Sequence, residues 1–411
     1  MRNPKQYPKL RWPLDVHFEK INGQTVLLLR CPLGLAAQPL ALVPAAAGVL
    51  QALDGLTSTA DLLKRFTPLG LTEQTLREFL NLLEGHLFLD GPAFEAARTT
   101  LLADYAGSKT RAAALAGRGY PAASKELRAL VTGYLEDAAP ADAEQRELIG
   151  LIVPHIDYQR GGKSYGAAYR KLAGQPCDLF LIFGIAHQYS RHLFHLTRKD
   201  FETPLGAVPC ESSLVNRLAE LYGPERSFAD EILHKEEHSI ELQLPFLLQV
   251  QPQAKIVPIL AGSLHELLQQ RQAPQGYEAY DSFLAALVSV LTPLLQAGRR
   301  ICTIAAVDMA HVGRYFGDPE GLSPERLEQV RQRDAEYLAA VSSHDLTALF
   351  THLAADQDAR HICGFPAVYT MLDLLKRLGI SYHADIVAYE QAVTYEIDRA
   401  VSFTGAGLYK R

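Results

Sequence analysis

The 411-residue chain is 48% hydrophobic and 21% charged, with 40 Lys and Arg against 46 Asp and Glu. A net charge of −6 at pH 7 excludes general nucleic-acid binding, which needs a basic face, and the composition fits a globular protein of two or three domains. Five scattered cysteines without a CxxC pair exclude a disulfide framework and fit a reducing cytoplasm.

No apolar segment follows the early charges of MRNPKQYPKLRWPLDVHFEK, so no signal peptide is expected. The long uncharged stretch Cys31–Leu53 holds Pro32, Pro39 and Pro44 and cannot be one membrane-spanning helix. Residues 1–105 read as a first unit. KINGQTVLLLRCPLG predicts a hairpin turning at Asn22-Gly23. Helices follow in PAAAGVLQAL, in TSTADLLKRF capped by Thr57 or Ser58, and in TEQTLREFLNLLEGHLFL capped by Thr72. Short strands with three small helices suggest an α+β, winged-helix-like module. Its acidic residues disfavour DNA and favour docking of a peptide or protein.

LLADYAGSKTR reads as a linker, SKELRALVTGYLEDA as an amphipathic helix and APADAEQRE as a polar loop. Residues 106–411 form the second unit. From about residue 148, apolar runs (GLIVPH, LFLIFG, KIVPIL, ICTIAAVDM, AVSFTGAGLY) alternate with helical segments. Such alternation predicts a layered α/β domain with a central, mostly parallel sheet flanked by helices.

Histidines punctuate this pattern. His155, His187 and His311 each follow a buried-strand run, and the carboxyl ends of parallel strands are where ligands sit. His238 lies in KEEHSIELQLPFL, near a helix start with Ser239 as cap and a break near Pro245; Glu237 and Glu241 flank it. Converging imidazoles suit either a divalent metal or a metal-free acid–base pocket. The candidate metal ligands are His155 and His187 with one of His311, His238 or Asp308, His311 being the first choice. The candidate catalytic groups are His238, His311, Asp308 and Cys363, the last before a helix start where a thiol pKa can fall. Tyr158, Arg160 and Glu237 are the candidate substrate-binding residues.

In order, PHIDYQRGGKSYGAAY, FGIAHQ, ETPLGAVPCE, KEEHSIELQLPFL, VDMAHVG and ICGFPAVYTMLDLLK resemble the Memo-like family, which includes the AmmeMemoRadiSam system protein B group. The resemblance implies a fold similar to class III extradiol dioxygenases and a non-haem metal, Fe(II) first and Zn or Cu next. It also implies radical-SAM and AMMECR1-like partners and a small-molecule or peptide substrate. The N-terminal unit resembles precursor-peptide-binding clamps. Two departures stand out. Ile185 and Ala186 replace the proline and small polar residue before the second histidine. Ala310 stands where ring-cleaving relatives carry a carboxylate ligand. On that alignment the metal site lacks a ligand, and a non-catalytic peptide- or partner-binding protein is the alternative.

Overall fold

The computed structural model describes residues 3–21, 23–36, 38–139 and 146–411. Asn22 of the expected turn and residues 140–145 of the expected polar loop lie outside them. The chain divides into two compact units, Met1–Ser108 and Lys109–Arg411.

In the first unit β1 (Asp15–Ile21) and β2 (Gln24–Arg30) pair antiparallel with Ile21 opposite Gln24, and β3 (Leu40–Leu42) adds to β2. Gly23 takes the positive φ of 78° that such a tight connection requires. The expected helices form at Ala46–Gln51, Thr59–Phe66 and Glu73–Gly85. Ser58, not Thr57, caps the second by accepting from the Asp61 N–H, and Thr72 caps the third. Leu27, Leu29, Leu50, Leu62, Leu83 and Phe88 form the core.

A fourth helix, Pro92–Gly107, replaces most of the expected linker. Pro92 presets the first helical φ, and the alanines and leucines that follow are strong helix formers. Their apolar atoms do not gather into one stripe, so periodicity gave no sign of it.

The second unit holds a small sheet of β4 (Thr110–Arg111), β8 (Asp200–Thr203) and β9 (Gly206–Val208) beside a large one. The large sheet is built from β5 (Leu148–Val153), β6 (Leu179–Ile185), β7 (Phe194–Leu196), β10 (Ile256–Ala261), β11 (Ile301–Ala306), β12 (His311–Val312), β13 (Tyr382–Thr394) and β14 (Arg399–Lys410). Its order is β12-β14-β5-β11-β6-β10-β7, with β13 also on β14. β5, β11, β6 and β10 are parallel; β14, β7, β12 and β13 pair antiparallel. The sheet is thus parallel at its centre and antiparallel at its edges.

The central strands are buried at nearly every position, as runs covered on both faces must be. Alternation splits their side chains. Leu181 and Phe183 join the core under helices Ser212–Tyr222, Glu278–Gln296 and Phe365–Arg377. Phe180 and Ile182 join the core under helices Ser124–Asp137, Tyr158–Leu172 and Leu244–Val250. Helix Glu278–Gln296 is long and apolar enough to cross a membrane, yet it buries Tyr280, Phe283, Leu284, Leu287 and Leu291 in the first of these cores.

Two core histidines make this unit acid-labile. His195 on β7 and His234 are fully buried. His234 Nε2 lies 3.1 Å from the His195 carbonyl oxygen, while both His195 ring nitrogens and His234 Nδ1 have no partner among the described residues. Burial pushes His195 down to about 4 and His234 down to about 3. Unfolded, both titrate near 6.5, so between those limits the unfolded chain binds more protons. Stability is therefore complete above about pH 6.5 and falls as pH drops toward about 4 for His195 and about 3 for His234, by on the order of 3 and 5 kcal/mol respectively. The urea midpoint is expected to fall steeply over this window and less steeply in His195→Leu; parallel slopes would contradict the account.

Candidate metal centre

β5, β11 and β6 are neighbours, so their carboxyl ends lie side by side. His155 follows β5, Asp308 follows β11 and His187 follows β6. Asp308 Oδ1 accepts from the backbone N–H groups of His155 (2.9 Å) and Ile156 (3.2 Å) and fixes the first loop to the second. His238 arrives on the helix His238–Glu241. Its cap is Glu237, whose Oε1 accepts from the N–H groups of His238 and Ser239. Ser239, the expected cap, instead accepts from Ile185 N–H at 3.0 Å.

Two glycines permit these approaches. A Cβ on Gly184 would stand 2.5 Å from Ser239 Oγ, and one on Gly364 would stand 2.5 Å from the Asp308 carbonyl oxygen. Bare α-carbons thus let the His238 helix rest against β6 and bring Cys363 against the β11 loop.

His155, His187 and His238 form the centre, with one ring nitrogen from each within 4.8 Å of the others. Each Nδ1 meets a fixed acceptor. His155 Nδ1 donates to the Ala306 carbonyl at 2.9 Å. His187 Nδ1 lies 3.0 Å from both Glu237 oxygens, and His238 Nδ1 lies 3.1 Å from Oε1. Each Nδ1 thus faces an acceptor, which leaves Nε2 as the ring atom a metal would take. This carboxylate– or carbonyl–histidine pairing orients metal ligands. Burial, then the charges of His187 and His238, holds His155 well below its ordinary value. For His238 burial works against charge, but Glu237 outweighs it and raises the ring. The donor set fits a metal ion, and the trio can hold one.

Of the three candidates for the third ligand, His238 stands with His155 and His187, and His311, the first choice, lies outside that group. His311 lines the same cavity, of about 430 Å³, together with Asp308 and Arg160. Its Nδ1 is tied to the carbonyls of Met309 and His361, and burial pushes it down to about 4, so its Nε2 is unprotonated near neutrality. Ala310 leaves no gap in the trio. Its methyl packs with Val312, Val330 and Ala400 in a separate apolar cluster, and Ser402 Oγ accepts its N–H.

Other assignments also change. Tyr158 is buried, stacked on Tyr120, with its hydroxyl donating to the Leu242 carbonyl, so it does not face a substrate. Glu237 is buried beneath two imidazoles and is an orienting group rather than a substrate contact. Cys363 Sγ stands 3.4 Å from His155 Nε2, but burial pushes its thiol well up, the opposite of the depressed value expected at a helix start. Arg160 does line the cavity, paired with Asp157 at 2.6 Å. Asp308 sits between the loops, and burial raises it to about 6.

Sequence reading passed over Arg111, whose fully buried side chain bonds the carbonyls of His234 and Glu237 and the carboxylate of Glu241. Its only sequence signal is an arginine beginning an apolar segment.

An α/β domain whose adjacent strand ends and one helix start deliver three oriented imidazoles to an open cavity defines a class of histidine-centred pocket proteins. Residues 111–407 match the family model described as Memo-like protein, and the chain belongs to that family. It is 26% identical over 392 residues to a MEMO1 family protein of Aquifex aeolicus, covering 93% of this chain and 96% of the relative. A MEMO1 family protein of Methanosarcina mazei is 27% identical over 66% of this chain and 87% of its own. One from Thermus thermophilus is 28% identical over 64% and 72%.

Proposed function

We propose that the chain is a non-haem, metal-dependent, dioxygenase-like oxidoreductase acting on a small-molecule or peptide substrate. The observation that carries this reading is the oriented trio: His155, His187 and His238 each bring one ring nitrogen within 4.8 Å of the others, each has its Nδ1 on a fixed acceptor, and all three line one cavity. Fe(II) is the first candidate and Zn or Cu the next, all compatible with imidazole donors. A divalent metal held by His155, His187 and His238 would supply a Lewis acid at the cavity.

The surrounding residues have separate tasks. His311 offers an unprotonated Nε2 at the cavity wall, placed to take a proton from a substrate hydroxyl. Asp308 holds the His155 loop in register. The Cys363 thiol is near enough to His155 to add a sulfur donor. Leu242, Phe316 and Val401 line apolar parts of the wall.

The test is oxygen uptake by anaerobically Fe(II)-loaded protein with a panel of small phenols, against His155→Ala. Uptake lost in the variant supports the reading. Metal-loaded protein inert with Fe(II) and Zn alike would leave the non-catalytic alternative. That alternative draws on Ala310 and on the extra N-terminal module.

For the N-terminal unit we propose peptide or protein docking, with radical-SAM and AMMECR1-like proteins as the partners to test by pull-down on the full chain. A groove of about 600 Å³ there, walled by Leu63, Leu76, Leu80 and Leu89, supports this. Five free cysteines support a cytoplasmic location.

A further inference from the structure

The cavity wall carries a cation, Arg399, with no ion-pair partner among the described residues. Arg399 opens β14 and lines the cavity. Its Nε is buried with no hydrogen-bond partner among the described residues, and its guanidinium lies 5.3 Å over the Tyr315 ring. The groups that could neutralise it are engaged elsewhere. Arg160, the cavity's other arginine, holds Asp157. Asp398, the neighbouring residue, accepts from Leu322 N–H at 2.6 Å through Oδ1 and faces Arg314 through Oδ2. A buried donor left unpaired costs stability, and a guanidinium fork is shaped for a carboxylate.

Beside Arg399 stands a rigid aromatic wall. Tyr315 and Phe316 meet edge to face with centroids 5.1 Å apart, and Phe316 meets His311 in the same way at 5.1 Å. Phe316 also packs on the cluster of Ile156, Val401 and Phe403. The turn beneath is built for this approach. Gly313 has φ 114°, a Cβ there would stand 2.1 Å from the Asp398 carbonyl oxygen, and Tyr315 N–H donates to that oxygen at 3.2 Å.

We infer that this cavity selects a small aromatic carboxylate. Arg399 takes the carboxylate, the Phe316 and Tyr315 rings take the aromatic face, and the opposite end of the ligand points to the histidine trio. A cavity of about 430 Å³ accommodates a single substituted ring. The inference rests on the reading of this cavity as the substrate site, and it names the substrate class for it.

The test uses the full chain, stripped with EDTA and held at one fixed pH for all ligands and variants. Calorimetric titration compares benzoate, its neutral relative benzyl alcohol, and acetate. Benzoate is expected to bind more tightly than either. Arg399→Met is expected to weaken benzoate roughly tenfold to a hundredfold, the worth of a charge-assisted hydrogen bond, while leaving benzyl alcohol unchanged. Arg399→Lys keeps the charge, loses the fork and gives an intermediate loss. Phe316→Ala weakens benzoate and leaves acetate unchanged. Benzoate binding no better than benzyl alcohol, or unaltered in both Arg399 variants, overturns the inference. Metal content measured on the same preparations separates the two claims. Protein that loads metal but ignores benzoate sinks this inference alone; protein that binds benzoate through Arg399 but loads no metal sinks the metal reading alone.

Discussion

Alanine in place of His155, His187 or His238 is expected to empty the metal centre, whereas His311→Ala is expected to keep it. Elemental analysis of anaerobically purified protein should fall from about one divalent metal per chain to near none in the first three variants. Two imidazoles left without the third cannot close the donor set, and among the described residues the ring nitrogens of this trio lie within 4.8 Å of one another. His311 turns its Nδ1 to the carbonyls of Met309 and of His361, on a separate loop, and lies outside that group. Glu237→Gln isolates the orienting role. It keeps the volume and removes the charge that both His187 and His238 share, so metal affinity should drop by about 10- to 100-fold without being abolished. Metal lost in His311→Ala but retained in His238→Ala would overturn the trio. Wild-type protein that takes up no added Fe(II), Zn or Cu would overturn the metal reading itself.

The difference between these two histidines marks where the sequence stops being legible. His155, His187 and His311 could be found because each follows an apolar run that can only be a buried strand, and strand ends converge by topology. Which of them share a metal is decided by loop geometry. The β12 segment carries His311 away to pair with β14, while the bare α-carbon of Gly184 lets the His238 helix rest on β6. Glu237 was visible as a flanking carboxylate, but its position under two imidazoles depends on residues 50 apart in sequence. Tyr158 misled for a related reason. Proximity to His155 in sequence suggested the pocket, yet helix Tyr158–Leu172 turns that ring into the aromatic core with Tyr165 and Phe246.

The secondary structure was lost where burial is mixed. β13 is half exposed along most of its length, and its sequence, YHADIVAYEQAVT, never settles into the fully apolar run that revealed β5, β6, β10 and β11. Its partner β14 was visible because nearly every residue is buried. Neither direction nor partner follows from that, so the antiparallel edge of the sheet could not be read. The family resemblance supplied the order of motifs along the chain, and Ala310 shows its limit: alignment placed a missing ligand where the structure places an apolar contact.

Arg111→Met is expected to cost about 3–5 kcal/mol, because it strands a buried carboxylate. Arg111 and Glu241 are both fully buried and ion-paired. Glu241 also accepts from the N–H groups of Ala114 at 3.0 Å and Leu115 at 2.8 Å, and from the Tyr120 hydroxyl. With the cation gone, these donors remain but the charge is uncompensated. By contrast the exposed pair Arg217–Glu220, at 2.9 Å, should be worth at most about 1 kcal/mol when broken. Burial, not distance, separates the two. The effect on the metal centre should be as clear. Arg111 bonds the carbonyls of His234 at 2.8 Å and Glu237 at 2.7 Å, so it fastens the segment that presents Glu237 and His238. Its loss should weaken metal binding by about 10- to 100-fold, as for other groups that orient ligands. Urea unfolding and metal titration check the two effects on one preparation. The double variant Arg111→Met/Glu241→Gln apportions the stability loss. Recovery of a large part of it assigns that part to the stranded charge, and no recovery assigns it to the unfastened loop. An Arg111→Met protein as stable as wild type, with metal affinity intact, would remove Arg111 from the architecture of the centre altogether.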